Sequence, residues 1–142
     1  MLDSLYYKYS DLPYYMFKSY IETRYNAQID TQFDNFLGVP MGLNYTSYNP
    51  LLCIDKEMIV PSEIDTYYRQ QELQGYVHDM GAAMQDGVGG HAGLFSNAND
   101  VAKIMQMFLQ GGHYGGKRYL QPQLINVFNQ RYFADQNNRR GI

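Results

Sequence analysis

The residues of this chain with the most chemistry to offer are Tyr9-Ser10-Asp11, where a phenol stands two positions before a carboxylate at the start of a helical pattern. A phenol is a poor base at its ordinary pKa near 10 and needs a neighbouring cation before it can move a proton at neutral pH. A tyrosine at a helix start is either a lid on an apolar core or a proton carrier in a cleft, and the motif alone leaves both readings open. Asp11 is otherwise an ordinary first-turn acid favoured by the helix dipole. The chain supplies no familiar nucleophile. No Gly-x-Ser-x-Gly occurs, none of Ser4, Ser10, Ser19, Ser47, Ser62 and Ser96 is followed three residues later by lysine, and Gly87-Val88-Gly89-Gly90 is not a phosphate-binding loop. His78, His91 and His113 lack metal-ligand spacing, so neither a metal nor a cofactor is expected. His78-Asp79 could pair a base with its orienter, but sequence neighbours rarely face each other, which favours loop packing. His91, in His91-Ala92-Gly93, is expected to line a cleft edge or cap a turn. Cys53, the single cysteine, lies in the apolar run PLLCI and reads as a buried structural thiol.

Helices must position these groups. A first helix is expected from about Asp11 to Tyr25, with Pro13 in its first turn and Leu12, Tyr15, Met16, Ser19, Tyr20 and Thr23 on one face. A short second helix, from about Asp30 to Leu37, carries Ile29, Phe33, Phe36 and Leu37 and stops at Gly38. Residues 38–49 read as turn-rich, and residues 50–95 show no sustained periodicity. So long an irregular stretch is uncommon unless it builds a site or leans on other parts of a protein. The clearest pattern is a third helix from Ala98 to about Gln110, with Asn97 as N-cap and Asp100 completing a capping-box-like start. Its apolar stripe is Val101, Ile104, Met105, Phe108 and Leu109, and Gly111-Gly112 ends it. A hairpin in GGHYGGKRYL and a fourth helix opening at Pro122, with Leu124, Val127 and Phe128, follow.

Composition narrows the field. The 142 residues suffice for one compact domain, and an apolar share of 45% is that of a globular protein. The 15 tyrosines suit a half-buried core, a partner interface or a carbohydrate-facing cleft. A net charge of −3, with no basic cluster larger than Lys117-Arg118 or Arg139-Arg140, argues against nucleic acid and against an anionic membrane surface. No run approaches the roughly 18 apolar residues of a membrane span, and no basic-then-apolar leader opens the chain, so neither a transmembrane helix nor a signal peptide is expected within it.

Taken in order, YSD, FLGVPMGLNYTSYNP, VPSEIDTYYRQQELQGYVHDMGAAM and GGHAGLFSNANDVAKIMQMFLQGG resemble the middle of the serine β-lactamase and penicillin-binding-protein superfamily, in its class C-like, esterase-like branch. More narrowly, VHDMGAAM and the run after it resemble the β-lactamase-related modules joined to family 3 β-N-acetylglucosaminidases in some bacteria. The resemblance covers nearly the whole chain, and residues 89–112 are its most specific part. It implies a mainly α chain: the helical region of a β-lactamase-like α/β fold, with at most a short β-hairpin. It further implies that residues 1–142 are a single partial domain, an internal fragment of a longer protein. Of the family's three catalytic motifs, Ser-x-x-Lys, Tyr-x-Asn and a later Lys/His-x-Gly, only the middle one maps here, onto Tyr9-Ser10-Asp11. Tyr9 is then the proton carrier. Asp11 stands where asparagine is usual, and its charge would disfavour anionic β-lactams. Ser10, His91 and Gly93 are the implied cleft residues. His91-Ala92-Gly93 is not the third motif, because it precedes an N-cap and a helix rather than a core strand.

The implied activity is acyl transfer through a serine ester, on a peptidoglycan peptide, an ester or a β-lactam, with this chain inactive by itself. The implied setting is the cell envelope or periplasm of a bacterium. The implied partners are a small acyl substrate or peptidoglycan fragment and, through exposed apolar surface, further copies of the chain. The alternative is a non-catalytic helical module that binds a partner protein or cell-wall glycan through its tyrosine-rich face.

Overall fold

The computed structural model describes residues 7–136. The chain divides into two compact units, residues 11–101 and residues 7–10 with 102–136.

The larger unit opens with helix α1 (Leu12–Tyr25). Pro13 lies in its first turn, where a missing N–H costs nothing, and Asn26 closes it in the left-handed conformation at φ 52°. The expected face is not the covered one. Leu12, Met16 and Tyr20 are 65%, 72% and 66% exposed, whereas Tyr15, Lys18, Ile21 and Glu22 are half-buried. Apolar and aromatic side chains run all round LPYYMFKSYIETRY, so spacing cannot choose a face and tertiary packing does.

The second helix also departs from expectation. Helix α2 (Ile29–Phe33), a π-helical turn (Asp34–Gly38) and helix α3 (Val39–Met41) follow without a break, and the path ends at Gly42, φ 66°. Gly38 is right-handed, φ −52°, and so cannot act as the stop. The wider π turn accommodates Pro40, whose ring and missing N–H would break a regular helix there.

Strand β1 (Ser47–Tyr48) pairs antiparallel with β4 (Leu94–Phe95), and β2 (Glu63–Asp65) with β3 (Gln71–Leu73). Helix α4 (Met80–Ala83) lies between β3 and β4. Together with a ladder in the smaller unit this makes three short ladders where at most one hairpin was expected. Strands of two or three residues are too short to show an alternating pattern. Cys53 is exposed, not buried: PLLCI forms a 3₁₀ turn at Pro50–Leu52 in which only Pro50 is buried, and Leu52 is 86% exposed. The unit's core holds Met41, Leu43, Ile59, Leu73, Val77 and Ala82, with the polar Thr46, Asp65 and Asp100 buried among the rest.

Helix α5 (Ala98–Leu109) crosses the boundary between the units. Asn97 caps it as expected, its Oδ1 accepting the Asp100 N–H at 2.9 Å. The buried Asp100 carboxylate accepts the Tyr45 N–H at 2.7 Å and the Thr46 hydroxyl at 3.2 Å, which fixes the turn before β1. Most of the predicted stripe faces outward: Val101, Met105, Phe108 and Leu109 are 43%, 49%, 41% and 82% exposed, Ile104 is half-buried, and Met107, outside the stripe, is buried. An apolar stripe marks a face fit for covering; it does not say which part of a chain covers it.

In the smaller unit, β5 (His113–Tyr114) and β6 (Lys117–Arg118) form the expected hairpin. Gly115 and Gly116, φ 57° and 81°, supply the two left-handed positions of its turn. Helix α6 (Pro122–Asn129) begins where expected, but Ile125 is its buried residue, not Leu124, Val127 or Phe128. Tyr7 donates its N–H to Gln136 Oε1 at 3.0 Å and packs on Phe133, which anchors the segment leading to Tyr9. Among the described residues no helix is long and apolar enough to cross a membrane.

Candidate functional site

Tyr9 lies in the coil before α1 and is 66% exposed; Ser10 is half-buried. Both belong to the smaller unit, whereas Asp11, His91 and Gly93 belong to the larger. Asp11 is the N-cap residue of α1, and its carbonyl accepts the N–H groups of Tyr14 and Tyr15 at 2.9 and 3.2 Å.

The larger unit gathers three ionisable groups that the sequence disperses. One ligand-type atom from each of Asp11, Asp79 and His91 lies within 4.8 Å of the others. His91 Nε2 and Asp79 Oδ1 are hydrogen-bonded at 2.7 Å, and the same oxygen caps α4 by accepting the Ala82 N–H at 2.7 Å. Burial would raise the Asp79 carboxyl; the bonds from Ala82 and His91 outweigh it and hold the group below the ordinary carboxylate range. The His91 side chain is only 5% exposed, and its ring packs T-shaped on that of Tyr15, centroids 4.7 Å apart. Its Nδ1 is buried without a hydrogen-bond partner. With Nδ1 unpartnered, Nε2 is the ring nitrogen that makes the bond to Asp79.

The glycine run makes this gathering possible. A Cβ on Gly90 would stand 2.5 Å from the Tyr14 carbonyl oxygen and 3.1 Å from Lys18 Cβ, so only glycine lets the loop lie against α1. Gly93 has φ +114°, and a Cβ there would run into the Gly87 carbonyl oxygen. Gly93 and Asp79 also line a shallow pocket of about 260 Å³ with Ser62 and Phe95.

The structure separates His78 from Asp79, as loop packing requires. His78 pairs with Glu63 on β2, and the partner of Asp79 is His91. Two carboxylates and an imidazole form a donor set that could hold a divalent cation, and histidine spacing alone could not find it because two of its members are aspartates. Sequence reasoning also missed Tyr15 as a contact of His91. The legible signal was an aspartate before the small residues Gly81, Ala82 and Ala83, an N-cap on a helix too short to show periodicity.

No family model matches the chain. It is 33% identical over 132 residues to a protein of Escherichia coli (strain K12) described as "Putative D-alanyl-D-alanine carboxypeptidase", with 84% of this chain and 30% of that protein covered. It is 32% identical over 135 residues to a protein of the same description from Salmonella agona (strain SL483), covering 87% and 31%. The chain therefore spans about 30% of the length of these curated relatives. Among solved structures it is similar to one described as "Crystal structure of putative beta-lactamase from Bacteroides dorei DSM 17855", with TM-score 0.56, 14% identity, 90% of this chain and 31% of the other covered. At that identity the likeness concerns the fold.

Proposed function

We infer from membership of the serine β-lactamase and penicillin-binding-protein superfamily, to which this chain belongs, that it forms part of a serine hydrolase transferring the acyl group of a peptidoglycan peptide. The observation that carries the reading is the 33% identity, over most of this chain, to the Escherichia coli protein described as "Putative D-alanyl-D-alanine carboxypeptidase". Esters and β-lactams present the same kind of carbonyl to a serine and are the other substrate classes. The exposure of Tyr9 supports a place in a cleft rather than a lid on a core. In this reading Tyr9 carries the proton and works with a lysine and a serine that this chain does not supply as a Ser-x-x-Lys. Backbone N–H groups hold the oxyanion. Asp11 sets negative charge beside the reacting carbonyl and disfavours anionic substrates. The 142-residue chain alone is inactive, and the whole protein works in the bacterial cell envelope.

The test is labelling by a fluorescent penicillin or fluorophosphonate, comparing this chain with the same chain extended at both ends. Labelling of the extended protein alone supports the reading. Labelling of neither points to the second reading, a binding module. That alternative draws on α1, whose Tyr14, Phe17, Tyr20 and Tyr25 are 46%, 58%, 66% and 67% exposed.

A further inference from the structure

We propose that His91 and Asp79 are positioning residues that seat the first turn of α1, the turn that opens at Asp11, through Tyr15; this rests on the acyl-transfer reading above. The His91 side chain is 5% exposed, yet among the described residues its imidazole bonds the carboxylate of Asp79 alone. A core position filled for packing would favour an aliphatic or aromatic side chain, since a buried imidazole costs desolvation and leaves Nδ1 unpaired. What the imidazole adds is a directed N–H and a rigid ring. The N–H is spent on Asp79, itself fixed as the cap of α4. The ring packs T-shaped on Tyr15, one helical turn after Asp11, whose carboxylate lies within 4.8 Å of the His91 and Asp79 atoms. The loop carrying His91 lies so close to α1 that Gly90 touches the Tyr14 backbone.

Two separate segments thus converge on the start of α1: the α4 cap and the loop before β4. Asp11 is the last residue of the tyrosine motif, so a slip of this turn displaces the chain immediately after Tyr9. Rates of this kind of chemistry fall about 100-fold for a misplacement of roughly 1 Å.

The experiment uses the protein extended at both ends and follows acylation by a fluorescent penicillin over a concentration series. It separates the saturating rate from the half-saturating concentration. His91→Leu is expected to lower the saturating rate about 100-fold while the half-saturating concentration stays within about threefold. His91→Gln, whose amide N–H can still reach Asp79, is expected to recover about tenfold of that loss, and Asp79→Asn to lose about tenfold. If His91→Leu does not fold, the other two variants carry the test. Rates within about threefold of wild type for His91→Leu, or for Asp79→Asn where His91→Leu does not fold, overturn the proposal. So does a folded His91→Gln that is as slow as a folded His91→Leu. A wild-type protein that is not acylated at all overturns the acyl-transfer reading itself, and the wild-type arm alone distinguishes that failure.

Discussion

Replacing Asp79 with alanine removes two interactions at once, and both can be weighed. The cap on the Ala82 N–H, 2.7 Å long, is worth about 1 kcal/mol. The bond from His91 to a charged acceptor is worth about 1.5–3 kcal/mol, and the lower end applies because Asp79 is 39% exposed. The variant should therefore loosen α4 and the loop to His91 by about 2–3 kcal/mol. Native-state hydrogen exchange reads this locally: amides of residues 80–93 should exchange about 30- to 150-fold faster, with little change in the β5–β6 hairpin. Asp79→Asn keeps an acceptor oxygen for both donors and should accelerate exchange only about fivefold. Acidity supplies a second check. The folded carboxyl sits below its ordinary value, so its contribution is present above the unfolded pKa near 4 and is lost as pH falls through the folded value. Protection of Ala82, corrected for intrinsic rates, should drop below about pH 4 in the wild type and lose that dependence in Asp79→Asn. Equal, sub-threefold changes in both variants, by roughly this scale, would refute the account of how the loop is held.

Four further outcomes are expected. Gly93→Ala should cost about 3 kcal/mol or more in urea denaturation, because φ is +114° and the new methyl meets a backbone oxygen; Gly42→Ala, at φ +66° in open space, should cost only about 1 kcal/mol. Asp100→Ala should cost about 2 kcal/mol in the same assay, since it strands the Tyr45 N–H, whereas the Thr46 hydroxyl keeps its 2.7 Å bond to Ser96 Oγ. The Asp65 carboxyl is held far below the ordinary range by the Tyr68 N–H, against opposing burial, with help from the Arg69 side chain and the N–H groups of Arg69 and Tyr67. Its stabilisation is lost only in strong acid, so exchange at residues 67–69 should stay slow through pH 4 in the wild type and be fast at every pH in Asp65→Ala. Finally, the outward apolar face of α5 should make the isolated chain associate, giving a light-scattering mass above 16.5 kDa that Met105→Lys with Phe108→Lys brings down.

The parts of the fold legible in the sequence were those with a local cause. Asn97 as a cap, GGHYGGKRYL as a hairpin and Pro122 as a helix start each act within a few residues, and each lies where the sequence puts it. What escaped had no such short-range signal. No local rule marks Gly42 rather than Gly38 as the end of the second helical path; the π turn that carries it past Pro40 does. Nor could the stripe of α5 reveal its cover, because a side chain's hydrophobicity states a preference for burial and Met107, outside the stripe, is the residue that obtains it.

The candidate site divides along the same line. Tyr9-Ser10-Asp11 was visible as a contiguous motif, and His91 as an isolated histidine in a glycine-rich run, but nothing in the sequence spacing joins Asp11 to Asp79 or His91. The glycines are the link. Where a chain must press backbone against backbone, as Gly90 does against Tyr14, glycine is required, and a run such as Gly87-Val88-Gly89-Gly90 signals close approach even when it binds no phosphate. The approach brings a buried imidazole to the first turn of the helix that opens at Asp11. A glycine-rich loop followed by a histidine is then better read as a clamp on a neighbouring element than as a motif of its own. It is the variants that leave the loop in place but change its one directed N–H, His91→Gln against His91→Leu, that separate clamping from mere filling of space.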